Sequence, residues 1–104
     1  MVFWGLFFEN TLKTKMESVK YIFKGYVQDV GFRSFIHYHA LKLNINGSAK
    51  NLMNGDVEVI ASADKELLAL FFTRIHTGPP GSSIEEVIVE TLPIKPPGKG
   101  FRIL

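Results

Sequence analysis

The chain contains no cysteine, which excludes disulfides and thiolate metal sites and leaves a reducing compartment open to it. A surplus of charge is also missing. Twelve basic against ten acidic residues give a formal +2 and a sequence pI near 9.0 without a basic stripe, so composition argues for neither nucleic acid nor an anionic membrane as partner. No long apolar run is present: the most apolar stretch, Val2 to Phe8, is seven residues, far short of the roughly 20 that span a bilayer. It has no basic region ahead of it and no small-residue cleavage site behind it, so it does not read as a signal peptide. Histidines number three, and His37 and His39 stand two apart on a predicted helix, where they point away from each other and cannot clamp one ion. The residues call for no metal, and repeats and low-complexity segments are absent.

What remains is 104 residues, 46% hydrophobic, enough for one small domain with one core. Residues 1–15 are expected to form an extension outside that core, with Met16 as a natural start, and residues 16–104 the domain. A patch containing Phe3, Trp4, Leu6, Phe7 and Phe8 is sticky if exposed, so self-association through residues 2–8 stays open beside a monomer. Alternation predicts a strand over 18–27 with Val19, Tyr21 and Phe23 on one face. Helical spacing predicts a helix over 32–43 with an apolar stripe of Phe32, Phe35, Ile36, Ala40 and Leu43, stopped by Asn44 to Gly47. Asn54-Gly55 predicts a hairpin between strands at 47–52 and 56–62, with Val57, Val59 and Ala61 inward. Asp64 can cap a second helix running to Thr77, with Leu68, Phe71, Phe72 and Ile75 inward, and Gly78-Pro79-Pro80-Gly81 ends it. A strand over 83–91, a loop over 95–100 and a short strand or tail F-R-I-L complete the order β-α-β-β-α-β. That order predicts a ferredoxin-like α+β sandwich, a four- to five-stranded antiparallel sheet with both helices on one face.

Two stretches stand out chemically. G-Y-V-Q-D-V-G-F-R, Gly25 to Arg33, carries the chain from strand into helix through a short loop. Such a loop leaves backbone N–H groups unpaired at a helix N-terminus, where the dipole adds partial positive charge and favours an anion. Arg33, in the first helical turn, can add a fork matching two phosphate or carboxylate oxygens, or can simply be a solvated helix-face charge. In G-S-A-K-N-L-M-N-G-D-V, Asn51 is a neutral amide on a strand, where asparagine is depleted. It either satisfies backbone groups of the Met53-Asn54-Gly55 turn or serves a site.

Together the two stretches resemble the paired signatures of the acylphosphatase family. The first resembles a Gly-x-Val-Gln-Gly-Val-x-Phe-Arg loop through Gly25, Val27, Gln28, Val30, Phe32 and Arg33. The second resembles a pattern of Gly, an aromatic, a small and a basic residue before an Asn, followed by Gly and Val, through Gly47, Ala49, Lys50, Asn51, Gly55 and Val57. The resemblance covers about Val19 to Leu104. It implies hydrolysis of acyl phosphates, mixed carboxylic-phosphoric anhydrides, to a carboxylate and inorganic phosphate, with no metal or cofactor. Arg33 and the loop Gln28, Asp29, Val30, Gly31, Phe32 would hold the phosphoryl oxygens, and Asn51 would orient the attacking water. The partner implied is a small-molecule substrate, without nucleic acid or membrane, and the location implied is cytoplasmic.

The chain departs from the pattern at three positions. Asp29 stands where the family has Gly, bringing a Cβ and a carboxylate to the phosphate loop. Ser48 replaces an aromatic, and Ala63 replaces a Gly at a strand end. The same element order serves RNA-binding domains, ligand sensors and metal carriers, so the site must decide. D-V-E-V-I-A lacks the aromatic and basic residues an RNA-binding sheet requires on its third strand, and a metal carrier requires cysteine pairs. The rival reading is a catalytically weak phosphate- or small-ligand-binding or interaction module.

Overall fold

Strand β1 (Met16–Tyr26) buries alternate residues, and it does so because Val19, Tyr21 and Phe23 recur at the period of two that a pleated strand imposes; they are 8%, 3% and 0% exposed. The computed structural model describes residues 16–93 and 98–104. The expected extension of residues 1–15, its self-association stretch 2–8 and part of the expected 95–100 loop lie outside them.

Helix α1 (Phe32–Lys42) buries Phe32, Ile36 and Ala40, with Phe35 and Leu43 packed against the core at its edge. Asn44 adopts a left-handed φ of 55°, which an asparagine accepts more readily than most side chains and which ends the helix where the sequence placed its stop. Strands β2 (Asn46–Asn51) and β3 (Val57–Asp64) form the predicted hairpin, paired from Asn46↔Ser62 to Asn51↔Val57. Val57, Val59 and Ala61 are fully buried. Helix α2 (Lys65–Ile75) begins at Asp64, whose carboxylate accepts the Leu67 N–H at 2.8 Å, the N-cap expected from its position before an apolar stripe. Leu68, Phe71 and Ile75 are buried, and Phe72 stacks on Tyr21 with ring centroids 5.4 Å apart. After Gly78 to Gly81, β4 (Ser83–Leu92) and β5 (Phe101–Ile103) follow.

The sheet order is β4-β1-β3-β2-β5. Both helices pack on one face of it, where residues from β1, β2, β3, β5, α1 and α2 form a single apolar cluster. The ferredoxin-like α+β fold therefore holds, with one correction. The sheet is mixed, not antiparallel throughout, because β5 runs parallel to β2, with Gly47↔Phe101 and Ala49↔Ile103 as partners. Phe101 is the reason for that docking: it is 5% exposed, and anchoring it beside Phe71, with ring centroids 6.4 Å apart, leads F-R-I-L along the free edge of β2. The consequence for the site is direct. The C-terminal strand lies next to the strand that ends in Asn51.

Candidate active site

The loop between β1 and α1 turns sharply. Asp29 has φ 64° and Gly31 φ 75°, both left-handed, so the chain doubles back and enters α1 with Gly31 as its N-cap. The Phe35 N–H donates to the Gly31 carbonyl at 3.0 Å, closing the first turn. The N–H groups of Phe32, Arg33 and Ser34 belong to that turn and have no carbonyl behind them to bond, and no side chain caps them. Such an end attracts an anion through the unpaired donors and the dipole together.

A cavity of about 100 Å³ opens at this corner. Val27, Asp29, Gly31, Phe32, Arg33 and Ser34 line it from the loop and first turn, Asn51 from β2 and Ile103 from β5. Arg33 and Asn51, far apart in sequence and on different elements, thus face one space. Arg33 is half-buried, and its Nη1 donates to the Leu104 backbone oxygen at 2.9 Å. Leu104 is held in turn by its N–H, which donates to the Ala49 carbonyl at 2.8 Å. The guanidinium therefore has a hydrogen-bond partner beside the cavity.

The turn after β2 is satisfied by other residues: the Asp56 N–H donates to Asn54 Oδ1 at 3.0 Å, the Leu52 N–H to the Asp56 carbonyl at 2.8 Å and the Gly55 N–H to the Leu52 carbonyl at 3.2 Å. The Asn51 amide takes part in none of these bonds and lines the cavity.

Gln28, Asp29 and Val30 divide. Asp29 lines the cavity. Val30 packs against the core, leaving its backbone as the part that can serve a ligand. The Gln28 side-chain Nε2 donates to the Leu52 carbonyl at 2.7 Å and to the Asp56 carbonyl at 2.8 Å, so its amide is committed to the hairpin. Beside it, Lys24 Nζ meets Asp56 Oδ2 at 2.7 Å, and this hydrogen bond holds the Lys24 ammonium above the usual lysine pKa. Sequence reasoning passed over Ser34, Ile103 and Leu104. For Ser34 the signal was its place in the first turn of α1; for the other two it was the buried-type Phe101 in an otherwise nondescript tail.

A family model described as Acylphosphatase matches residues 19–103. An acylphosphatase of Vibrio parahaemolyticus is 45% identical over 85 residues, covering 82% of this chain and 93% of that relative. The crystal structure of acylphosphatase from Bacillus subtilis superposes with a TM-score of 0.81 at 29% identity, covering 86% of this chain and 99% of that one. An acylphosphatase from Coxiella burnetii does so with a TM-score of 0.80 at 26% identity over 88% and 98%. With both stretches on their loop and strand and the family match running over residues 19–103, the chain belongs to the acylphosphatase family, hydrolases that act on acid anhydrides.

Proposed function

We propose that Arg33, the backbone amides of the loop into α1 and Asn51 carry out the hydrolysis of a carboxyl-phosphate mixed anhydride in this cavity. The observation that carries the reading is that Arg33 and Asn51 line the same small space as the unpaired start of α1. About 100 Å³ is well below the several hundred Å³ of drug-sized sites. It suits a phosphoryl head with an attacking water and leaves the acyl group to project outward past Ile103. The substrate class is therefore set by the anhydride and its phosphoryl end, with a loosely specified acyl portion. The zero-cysteine composition and a small anionic metabolite as substrate suit a cytoplasmic enzyme.

In the reaction a water oxygen attacks phosphorus in line with the bond to the acyl oxygen. That P–O bond breaks, the carboxylate leaves with the electron pair, and the water proton passes to a phosphate oxygen. Little covalent work is asked of the protein, so positioning and charge stabilisation dominate. Arg33 and the amides of the first turn hold the equatorial oxygens, whose charge is spread in the transition state. The Asn51 carbonyl oxygen accepts from the water and sets its line of approach.

Steady-state hydrolysis of acetyl phosphate by the purified chain tests this, with inorganic phosphate as competitive inhibitor. Arg33→Ala is expected to abolish turnover and phosphate inhibition together while circular dichroism stays unchanged. Arg33→Lys recovers little, because a point charge does not reproduce the fork. Asn51→Ala is expected to lower kcat by about 10²-fold or more with phosphate inhibition retained. Unchanged inhibition in Arg33→Ala overturns the assignment. The observation favouring the weaker, ligand-binding reading is Asp29 in the cavity wall; phosphate binding without turnover in the wild type is the result that selects it.

A further inference from the structure

Arg33 and Asn51 lie on separate elements, so their spacing depends on whatever joins the loop into α1 to the hairpin turn after β2. Among the described residues, the side-chain hydrogen bonds between loop 27–31 and turn 52–56 come from one group, the Gln28 amide, which donates to the carbonyls of Leu52 and Asp56 at 2.7 and 2.8 Å. Leu52 follows Asn51 directly. The same two carbonyls close the turn itself, accepting the Gly55 and Leu52 N–H groups, so Gln28 grips the two ends of the turn at once. A second tie comes from β1. Asp56, 8% exposed, receives Lys24 Nζ at 2.7 Å and Asn54 Nδ2 at 3.1 Å, pinning the base of the turn to the strand that leads into the loop.

On the reading of Arg33 and Asn51 given above, we infer that Gln28 is a positioning residue, seconded by Lys24, which holds the Asn51 hairpin in register with the phosphate loop rather than binding phosphate with its own side chain. Of the groups proposed to hold phosphate, Arg33 and the first-turn amides do not depend on this tie: Arg33 donates to Leu104, and the amides of the first turn are fixed by α1. Loosening the tie therefore moves the water-orienting amide relative to the phosphoryl site and leaves the phosphoryl site in place. In-line attack is sensitive to such displacement, with a shift of about 1 Å worth about 10²-fold in rate.

The test is a double-mutant cycle in the full chain, reading kcat for acetyl phosphate and the inhibition constant of inorganic phosphate. Gln28→Met keeps the length and removes the donors. It is expected to lower kcat by about 10- to 100-fold with phosphate inhibition unchanged within about twofold. In an Asn51→Ala background it is expected to do nothing further, since what it positions is gone. Lys24→Met, on a half-exposed side chain, is expected to show the same pattern at smaller size, and it serves in the cycle if Gln28→Met does not fold. Equal losses in both backgrounds, a loss of phosphate inhibition, or an unchanged kcat in the single mutant overturns the inference while leaving Asn51 its role. If Asn51→Ala alone leaves kcat intact, it is the proposed mechanism that fails, and the inference falls with it.

Discussion

Asp29 brings a carboxylate to the cavity proposed above to hold a phosphoryl group. Its left-handed φ of 64° is one that Asp tolerates better than most residues, so the loop keeps its shape, and the residue, exposed, lines the cavity with Arg33 and Asn51. For an exposed carboxylate roughly 4 Å from a unit negative charge, the water-like limit gives about 1 kcal/mol of repulsion, or roughly fivefold in affinity. Asp29→Gly is expected to tighten phosphate inhibition and raise kcat/KM at neutral pH by about that factor, with a larger gain at low ionic strength, where the removed charge is less screened. Asp29→Asn should recover the electrostatic part alone. Identical constants in wild type and both variants would show that the carboxylate faces solvent, and outright loss in either would make Asp29 a working residue. At this scale the sequence was readable where a residue's chemistry was out of place: an asparagine on a strand, an arginine opening a helix, an acid in the loop that leads into it. Gln28 was the harder case, because a side chain within a binding loop carries no mark of whether it faces the ligand or, as here, the carbonyls of a turn 24 residues on.

At the scale of elements, the hairpin is what brings Asn51 to the loop, and its entry is set by Gly47. Gly47 has φ 149° and packs so close to β3 that a Cβ would land on the Ile60 carbonyl oxygen, while its N–H donates to Gly100 at 3.0 Å and it pairs with Phe101. Gly47→Ala must push β2 away from β3, against whose Ile60 backbone the methyl would land. It is expected to destabilise the domain by at least about 2 kcal/mol, seen as a fall in Tm of at least about 8 °C for a domain near 100 residues. A Tm within about 2 °C of wild type would show that the strand accommodates the methyl. The first six elements were legible because they carry their own period and punctuation, such as alternation in β1 and β3, Asn54-Gly55 in the turn, and Asp64 and Gly78-Pro79 around α2, whereas F-R-I-L read equally as a short strand or a tail. The direction of β5 was not legible. Three residues hold too few alternations to reveal a partner, and what decides the parallel pairing with β2 is tertiary, the burial of Phe101 against Phe71.

For the whole molecule, the test is whether residues 16–104 suffice. Every buried apolar residue among the described positions lies between Val19 and Phe101 and joins one cluster, and the family match runs over 19–103. Both groups proposed to act on substrate, the tie through Gln28 and the Arg33 hydrogen bond to Leu104 fall within residues 16–104. V-F-W-G-L-F-F offers no alternation, cap or turn signal from which a role could be read, which is why sequence reasoning left it between an appendage and a contact surface. If it is an appendage, a chain starting at Met16 keeps kcat/KM for acetyl phosphate and melts within about 3 °C of the full chain, the shift that roughly half a kcal/mol gives in a domain of this size. Sedimentation of the two forms separates the remaining readings. A full-length dimer that becomes an active monomer on truncation assigns residues 2–8 to an interface between copies, driven by the apolar area of Phe3, Trp4, Leu6, Phe7 and Phe8. A truncated chain that fails to fold would show instead that these side chains complete the core, and the boundary at Met16 would have to be withdrawn.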